Sequence, residues 1–373
     1  MKGHIRAASK GKFRIFIHVG GGKYQTQLFE GKRRDAERKC ASLVHAQTQG
    51  TLVEPTRITV GEYLDKWLAG HDASRRTLER YGELIEGHLK PAFGTVPLLK
   101  LHPLQIQTYY QNAARRDGKG KLAKRTVIHI HRILREALRE ALRLGVLAQN
   151  PTDRVKPPRP ERVEMKALDR RELNTLFKGF EGHRLYAPVV VAGTTGLRRG
   201  ELLALRWSDL NLDTATLTVA RSLEETKSGL AFKPPKTKSS ERTIDLLSLT
   251  VEALRKHEVE QKKARLATGS VWTDNGLVFP ALDGSLWKPS NFSLSWIDRV
   301  RRIGFTGLRF HDLRHTHASQ WLRDGENPTV VSKRLGHSSV ATTMNIYSHV
   351  LPGDEKQAAR RHDAKLRAAG DHA

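Results

Sequence analysis

The chain has one cysteine, Cys40, in 373 residues, so neither an intrachain disulfide nor a cysteine-based zinc site can form. That scarcity fits a reducing cytoplasm. Long apolar runs are missing too. No stretch approaches the roughly 18 apolar residues that a membrane-spanning helix needs, and the opening MKGHIRAASKGKFR lacks the apolar centre of a secretion signal. The expectation is an unexported protein with no membrane partner. Acidic residues are in short supply, 39 Asp and Glu against 65 Lys and Arg, which leaves a net charge of +26. Such a charge repels itself unless a polyanion offsets it, and nucleic acid is the expected partner. An anionic membrane surface ranks lower, because the basic residues run along the whole chain rather than beside one apolar segment. There are 17 histidines but no HExxH or other close-spaced ligand set, so neither a metal nor a cofactor is expected.

A chain of 373 residues exceeds what one hydrophobic core usually organises. Residues 1–53 read as short strands and a helix: 13–19 alternates weakly, 20–23 turns, 24–29 alternates again, and 33–46 has helical spacing. This stretch holds 11 Lys or Arg against 3 Asp or Glu, an excess of 8, which makes it a candidate DNA-binding module. Residues 54–150 read as an all-helical domain of about four helices, with Tyr63, Leu64, Trp67 and Leu68 on one apolar stripe. Further helices are predicted over 74–89, 103–114 and 123–144, with Ser74 as a cap, Pro103 in a first turn, and Pro91, Gly94 and Gly145 as breaks. In the last of them Ile128, Ile130, Ile133, Leu134, Leu138 and Leu142 are expected in the core. Lys121, Lys124 and Arg125 at its start could reach phosphates.

Residues 151–165 set Pro151, Pro157, Pro158 and Pro160 among Arg154, Lys156, Arg159 and Arg162, the composition of an extended basic linker rather than a packed element. Asp169 and Glu172 then make a helix-capping signal that opens a larger mixed domain over 166–350. Inside it, 215–220 and 242–246 have strand composition and flank a polar, proline-containing loop. Residues 351–373 read as a polar tail helix whose apolar face, Ala358, Ala359 and Leu366, is too thin to stand without a partner surface.

Four segments of the larger domain, 194–210, 234–246, 311–319 and 335–350, carry residues that a plain core would not require. Arg198 follows a Thr195-Gly196 turn, and Glu201, three residues on, shares its helical face and can hold its guanidinium. An ordinary surface ion pair would look the same. His311 and Arg314 are spaced alike; a guanidinium takes two phosphate oxygens at once, and an imidazole adds a directional hydrogen bond. Tyr347 stands ten residues after His337, on a short helix begun near Val340. A phenol with a pKa near 10 is a poor nucleophile unless nearby positive charge stabilises the phenolate. A lone tyrosine at a helix end is usually packing, but two arginines and two histidines change that judgement. Lys236 lies in the polar loop, where it could give a proton to a leaving 5′ oxygen, and Lys238 is a close rival for that role.

Arg198, Lys236, His311-x-x-Arg314, His337 and Tyr347, in that order, resemble the signature of the tyrosine recombinases. The segments TGLRRGELLALRW, HDLRHTHAS and LGHSSVATTMNIYSHV resemble the phage-integrase branch almost letter for letter. The likeness spans residues 165–350 strongly and 59–150 by helical pattern; the first 53 residues are similar to the small arm-binding domain of some integrases in element order and charge. It implies a multidomain, mainly α fold with a small β-sheet-plus-helix arm-binding domain, a four-helix core-binding domain and a mixed α+β catalytic domain. It also implies that Tyr347 attacks a DNA phosphate to give a 3′-phosphotyrosyl intermediate, while Arg198, Lys236, His311, Arg314 and His337 activate the phosphate and Glu201 supports Arg198. Arg199 is set aside, because the family places its arginine directly after the T-G-x turn. Neither ATP nor a metal is required by this chemistry. A homotetramer on double-stranded attachment sites is implied, with room for DNA-bending and directionality proteins. A topoisomerase-like enzyme, a DNA-binding regulator and an RNA-binding protein compete with this reading. The separate basic N-terminal segment opposes the first and the full set of six residues the second, while the third gives no reason for His-x-x-Arg and Tyr in register.

Overall fold

The computed structural model describes residues 3–48, 57–114, 122–159, 166–234, 241–347, 359–360, 362–363 and 367. Lys121, Arg162, Lys236, Lys238 and most of the expected tail helix lie outside the described residues. The chain divides into two compact units, Met1–Arg162 and Val163–Ala373, and it is mainly helical with small sheets.

In the first unit, β1 (Gly3–Ser9), β2 (Lys12–Gly20) and β3 (Lys23–Glu30) form an antiparallel sheet in the order β1-β2-β3. Strand periodicity puts Ile15 and Ile17 on one face, where they are buried with Cys40 of α1 (Arg33–Thr48), and Leu43 and Val44 of that helix pack on them. The register puts His4, Arg6, Arg14, Phe16, His18 and Tyr24 on the other face, with His4 stacked on Phe16 at 4.6 Å and Tyr24 edge-on to His18. β1 escapes the sequence pattern because Ile5 is its one large inward residue.

The helical part of this unit comprises α2 (Val60–Gly70), α3 (Arg75–Leu84), α4 (Lys90–Phe93), α5 (Pro103–Ala114) and α6 (Lys124–Arg143). Thr59 and Glu62 cap α2 reciprocally. Its Tyr63, Leu64 and Trp67 pack in one core with Ile130, Ile133, Leu134 and Leu138 of α6, and the Tyr63 hydroxyl donates to the Ala137 carbonyl at 2.9 Å. Three expectations need correction. Pro91 does not end a helix: a π turn over Ile85–Leu89 widens the coil just before it, so the hydrogen bond that proline cannot donate is absorbed and the helical path runs on to Phe93. Leu142 is exposed, because the buried stripe of α6 runs through Ala137, Leu138 and Ala141 and leaves the next position facing water. The start of the basic proline segment is packed rather than extended. Pro151–Arg154 forms a 3-10 turn capped by Asn150, and Val155 is buried in the helical core. Proline at the first position of a helical turn costs nothing, since that N–H has no partner there anyway.

The second unit surrounds α8 (Tyr186–Thr195), which is buried on every side from Ala187 onward and therefore apolar all round. It packs against α7 (Arg170–Phe180), α10 (Ser248–Thr268) and α12 (Asp312–Arg323). The short α9 (Arg199–Leu203) follows α8. Strands β4 (Leu210–Asn211), β5 (Thr216–Val219) and β8 (Arg242–Asp245) pair antiparallel, and β6 (Ser222–Thr226) pairs with β7 (Gly229–Lys233). α11 (Pro289–Arg302) contributes Trp296, which stacks on Phe180 at 5.5 Å, meets Phe310 edge-on and donates its indole N–H to the Leu308 carbonyl at 3.0 Å. α13 (Pro328–Leu335) and α14 (Val340–Tyr347) follow α12. Among the described residues no helix is long and apolar enough to cross a membrane.

Trp296 joins three elements through one buried ring, so Trp296→Ala is expected to cost about 3–5 kcal/mol. Urea unfolding of the full chain, followed by circular dichroism, measures this; a loss below about 1 kcal/mol would mean that the ring does not seal the core.

Candidate active site

Two helices of the second unit end in left-handed glycines. Gly196 closes α8 with φ at 69°, and Gly336 closes α13 with φ at 65°. A Cβ on Gly196 would lie 2.7 Å from Leu335 and 2.9 Å from His317, so both the backbone angle and the close approach demand glycine. The two turns leave carbonyl oxygens that the helices themselves cannot satisfy, and two arginines take them. Arg314, 3% exposed on α12, donates Nη1 to Gly196 O at 2.7 Å and Nη2 to Leu335 O at 2.6 Å. Arg198, at the N-cap of α9, donates Nη2 to Gly336 O at 3.3 Å and keeps 40% of its side chain exposed.

Glu201 holds the other side of this cluster. Its Oε1 accepts from Arg198 Nη1 at 2.7 Å, its Oε2 accepts from the Arg198 backbone N–H at 3.0 Å, and Arg242 Nη2 donates to Oε2 at 3.0 Å. Arg242 in turn donates Nε to the Arg334 carbonyl at 2.7 Å. Burial works against ionisation of Glu201, but the charges and hydrogen bonds of Arg242 and Arg198 outweigh it, and its carboxyl stays below the usual range.

His311 stands at the N-cap of α12, and its ring meets His315 edge-on at 5.0 Å. His337, just after the Gly336 turn, pairs its Nδ1 with the Thr343 hydroxyl of α14 at 2.8 Å. Tyr347 is 2% exposed, and its hydroxyl lies 2.8 Å from Nδ1 of His315. His311 keeps much of its surface exposed, yet partial desolvation first, then repulsion between two protonated imidazoles at His311 and His315 and the charges of Arg314 and Arg198, lower it to about 4. Burial and then Arg314, Arg198 and Arg242 lower His337 to about 4 as well. Burial raises Tyr347 to about 12 against the opposing pull of Arg314. Burial, reinforced by Arg198, lowers Arg314 to about 9. A site that crowds like charges and keeps Arg198 and His311 within reach of solvent is primed for an anion to enter.

Arg198, Glu201, His311, Arg314, His337 and Tyr347 are thus brought together from separate stretches of chain. Lys236 and its rival Lys238 lie outside the described residues, as do Lys121 and Arg162. Lys124, Arg125, Arg154, Lys156 and Arg159 are exposed residues of the first unit. Sequence reasoning passed over His315 and Arg242. His315 had a readable signal, since it lies four residues after His311 on the same helical face, whereas nothing in the spacing around Arg242 revealed that it would face Glu201.

The family described as "Phage integrase family" matches residues 166–353, and "Phage integrase, N-terminal SAM-like domain" matches residues 59–113. A tyrosine recombinase XerC-like protein of Caldanaerobacter subterraneus subsp. tengcongensis is 30% identical, over 93% of this chain and 94% of that protein. The ICEBs1 integrase of Bacillus subtilis is 28% identical, over 97% of this chain and all of that protein, 100%. Among solved structures, the Tn1549 transposon integrase in complex with transposon right end DNA shares the fold with a TM-score of 0.69 at 19% identity, over 83% of this chain and 100% of that one. A lambda integrase dimer bound to a core site covers 92% of this chain and 94% of that one, with a TM-score of 0.56 at 18% identity.

Acid should dismantle this site in two stages. Unfolded histidines take up protons below about pH 6.5, but His311 and His337 in the folded chain refuse them until about pH 4, so stability falls as pH drops through that window. The contribution of ionised Glu201 is intact above the usual carboxylate range and is lost only at lower pH, as its own depressed pKa is crossed. Calorimetric melting of the full chain between pH 7.5 and 4 should therefore show a midpoint that begins to fall near pH 6.5. A flat midpoint down to pH 5 would contradict histidines held neutral by the site.

Proposed function

The chain belongs to the phage integrase family of tyrosine recombinases, and from that premise we propose that it cuts and rejoins DNA through a covalent bond between Tyr347 and a 3′ phosphate. The observation that carries this reading is the clustering of Arg198, Arg314, His311 and His337, which feel one another's charge, beside a buried Tyr347 that itself feels Arg314. In the proposed step Tyr347 attacks the scissile phosphodiester, the P–O5′ bond breaks, and Arg198 and Arg314 offset the charge that grows on the nonbridging oxygens. His311 and His337, held neutral, offer directional hydrogen bonds to the same oxygens. Lys236 supplies the proton to the departing 5′ oxygen. A 5′ hydroxyl from the partner duplex then attacks the phosphotyrosine, so the bond energy is conserved and no nucleotide is consumed.

Recombining two duplexes requires four strand cuts, and a homotetramer on synapsed attachment sites supplies four tyrosines. Double-stranded DNA is the substrate, met in the bacterial cytoplasm, with DNA-bending and directionality proteins as assistants. We assign residues 54–150 to core-site binding and 166–350 to catalysis. Lys121, Lys124, Arg125, Arg154, Lys156, Arg159 and Arg162 neutralise backbone phosphates, and the tail over 351–373 docks on a neighbouring subunit. Residues 1–53 form a separate arm-site module. Arg6 and Arg14 pair across β1 and β2 on the sheet face opposite α1, beside His4, Phe16 and Tyr24, and this arrangement supports a face that meets DNA.

Tyr347→Phe should abolish covalent protein–DNA adducts on a nicked suicide duplex while leaving DNA affinity within about twofold, because it removes one oxygen and none of the phosphate-binding charge. Arg198→Ala should slow adduct formation on the order of 10²-fold or more. Adducts from Tyr347→Phe in a denaturing gel would disprove the nucleophile.

Deleting residues 1–53 should abolish protection of arm sites and leave core cleavage detectable. Undiminished arm-site footprints from the truncated chain would sink that assignment.

A further inference from the structure

The tyrosine hydroxyl is partnered by a histidine that the family signature does not single out. Tyr347 Oη lies 2.8 Å from Nδ1 of His315, with the two rings 5.8 Å apart. The neighbouring imidazoles are placed differently: Nδ1 of His337 is engaged by Thr343, and His311 meets His315 edge-on one helical turn earlier. Both terminal nitrogens of Arg314 are committed to backbone carbonyls.

We propose that His315 is the catalytic residue that takes the proton from Tyr347 as it attacks and returns it when the strands are rejoined. This rests on the reading of Tyr347 as nucleophile. During cleavage the Oη–H bond breaks and its proton passes to Nδ1, the Oη–P bond forms, and the P–O5′ bond breaks with a proton delivered from Lys236. During rejoining the incoming 5′ hydroxyl gives its proton to Lys236 and attacks phosphorus, and Oη leaves with the proton stored on Nδ1. No proton, electron or co-reactant is left over.

Magnitudes explain why a partner is needed. A phenol raised to about 12 is ionised in roughly one molecule in 10⁵ at pH 7, so attack by spontaneously formed phenolate is scarce, and a positioned base contributes typically 10²–10⁴-fold. His315 must be neutral to serve. Burial first, and the charges of Arg309 and Arg314 after it, hold its pKa below the ordinary value, against the pull of Asp312. The groups that face it from other elements are Tyr347 on α14 and His337 on the link before α14, together with His311 at the start of its own helix. With imidazole neutral and phenol protonated, the hydroxyl donates and Nδ1 accepts, and the imidazole hydrogen sits on Nε2.

The test is single-turnover adduct formation by the full chain on a nicked suicide duplex, from pH 5.5 to 9, for wild type, His315→Asn, His311→Asn and Tyr347→Phe. Asparagine keeps a hydrogen-bonding group near the phenol but cannot accept the proton. His315→Asn should bind DNA within about twofold of wild type and cleave on the order of 10²-fold more slowly at pH 7. Its rate should climb about tenfold per pH unit, where wild type rises and levels off. His315→Gln serves as a second variant if the asparagine protein does not fold. Wild-type rates from both variants, or a loss of the same factor at every pH, would overturn the proposal. It would also be overturned if the pH limb disappeared in His311→Asn instead. Adducts formed by Tyr347→Phe would mark failure of the underlying nucleophile assignment, which is a separate outcome.

Discussion

Positive charge held out of water by the carbonyl ends of helices is the constraint around which the second unit is arranged. Arg314 is buried and would be costly there alone. The partial negative charge at the C-terminus of α8 and of α13 offsets that cost, through the oxygens of Gly196 and Leu335. Arg198 uses Gly336 of the same α13 turn and a carboxylate, Glu201, which Arg242 shares. The arrangement fixes each guanidinium in direction as well as place. Little reorganisation is then left to do when an anion arrives.

The same charge governs the histidines and the tyrosine. His311 and His337 are neutral in this field, so they can donate or accept single hydrogen bonds without adding to the repulsion among the arginines. Tyr347 is pulled two ways, since burial favours the phenol and Arg314 favours the phenolate, and burial prevails. The phenol is therefore quiet in the resting chain. Its ring packs with Ala318, Leu322, Val331 and Leu335, residues of α12 and α13, so the helices that anchor the guanidiniums also seat the phenol.

Much of this could be read from residue spacing alone. Arg198 with Glu201, and His311 with Arg314, stand three apart and were expected to act together; the tyrosine was expected on a short helix after His337, and α14 is that helix. What stayed hidden depends on three-dimensional closure. The Gly196 and Leu335 carbonyls belong to residues 118 and 21 positions away from Arg314. Arg242 lies 41 positions from Glu201, on a strand whose side-chain partners no pattern announces. Local chemistry misled in a different way at Pro91 and Pro151: each proline signals a break by composition, yet a π turn accommodates one and a 3-10 turn begins with the other. β1 shows the limit of alternation, because a strand with one large inward residue carries almost no periodic signal.

Main-chain oxygens hold both arginines, Arg198 together with the Glu201 carboxylate, and this has a consequence for how the site tolerates variation. A carbonyl cannot be deleted by substitution, so scanning the positions that supply Gly196 O, Leu335 O and Gly336 O does not remove the contacts one at a time. What can be altered is the shape of the turn that aims them, and that shape depends on two residues without side chains. Vulnerability is thus concentrated in two glycines that carry no reactive group, and a map of loss of function would show them as sharply as the charged residues they help to hold, for reasons of geometry alone.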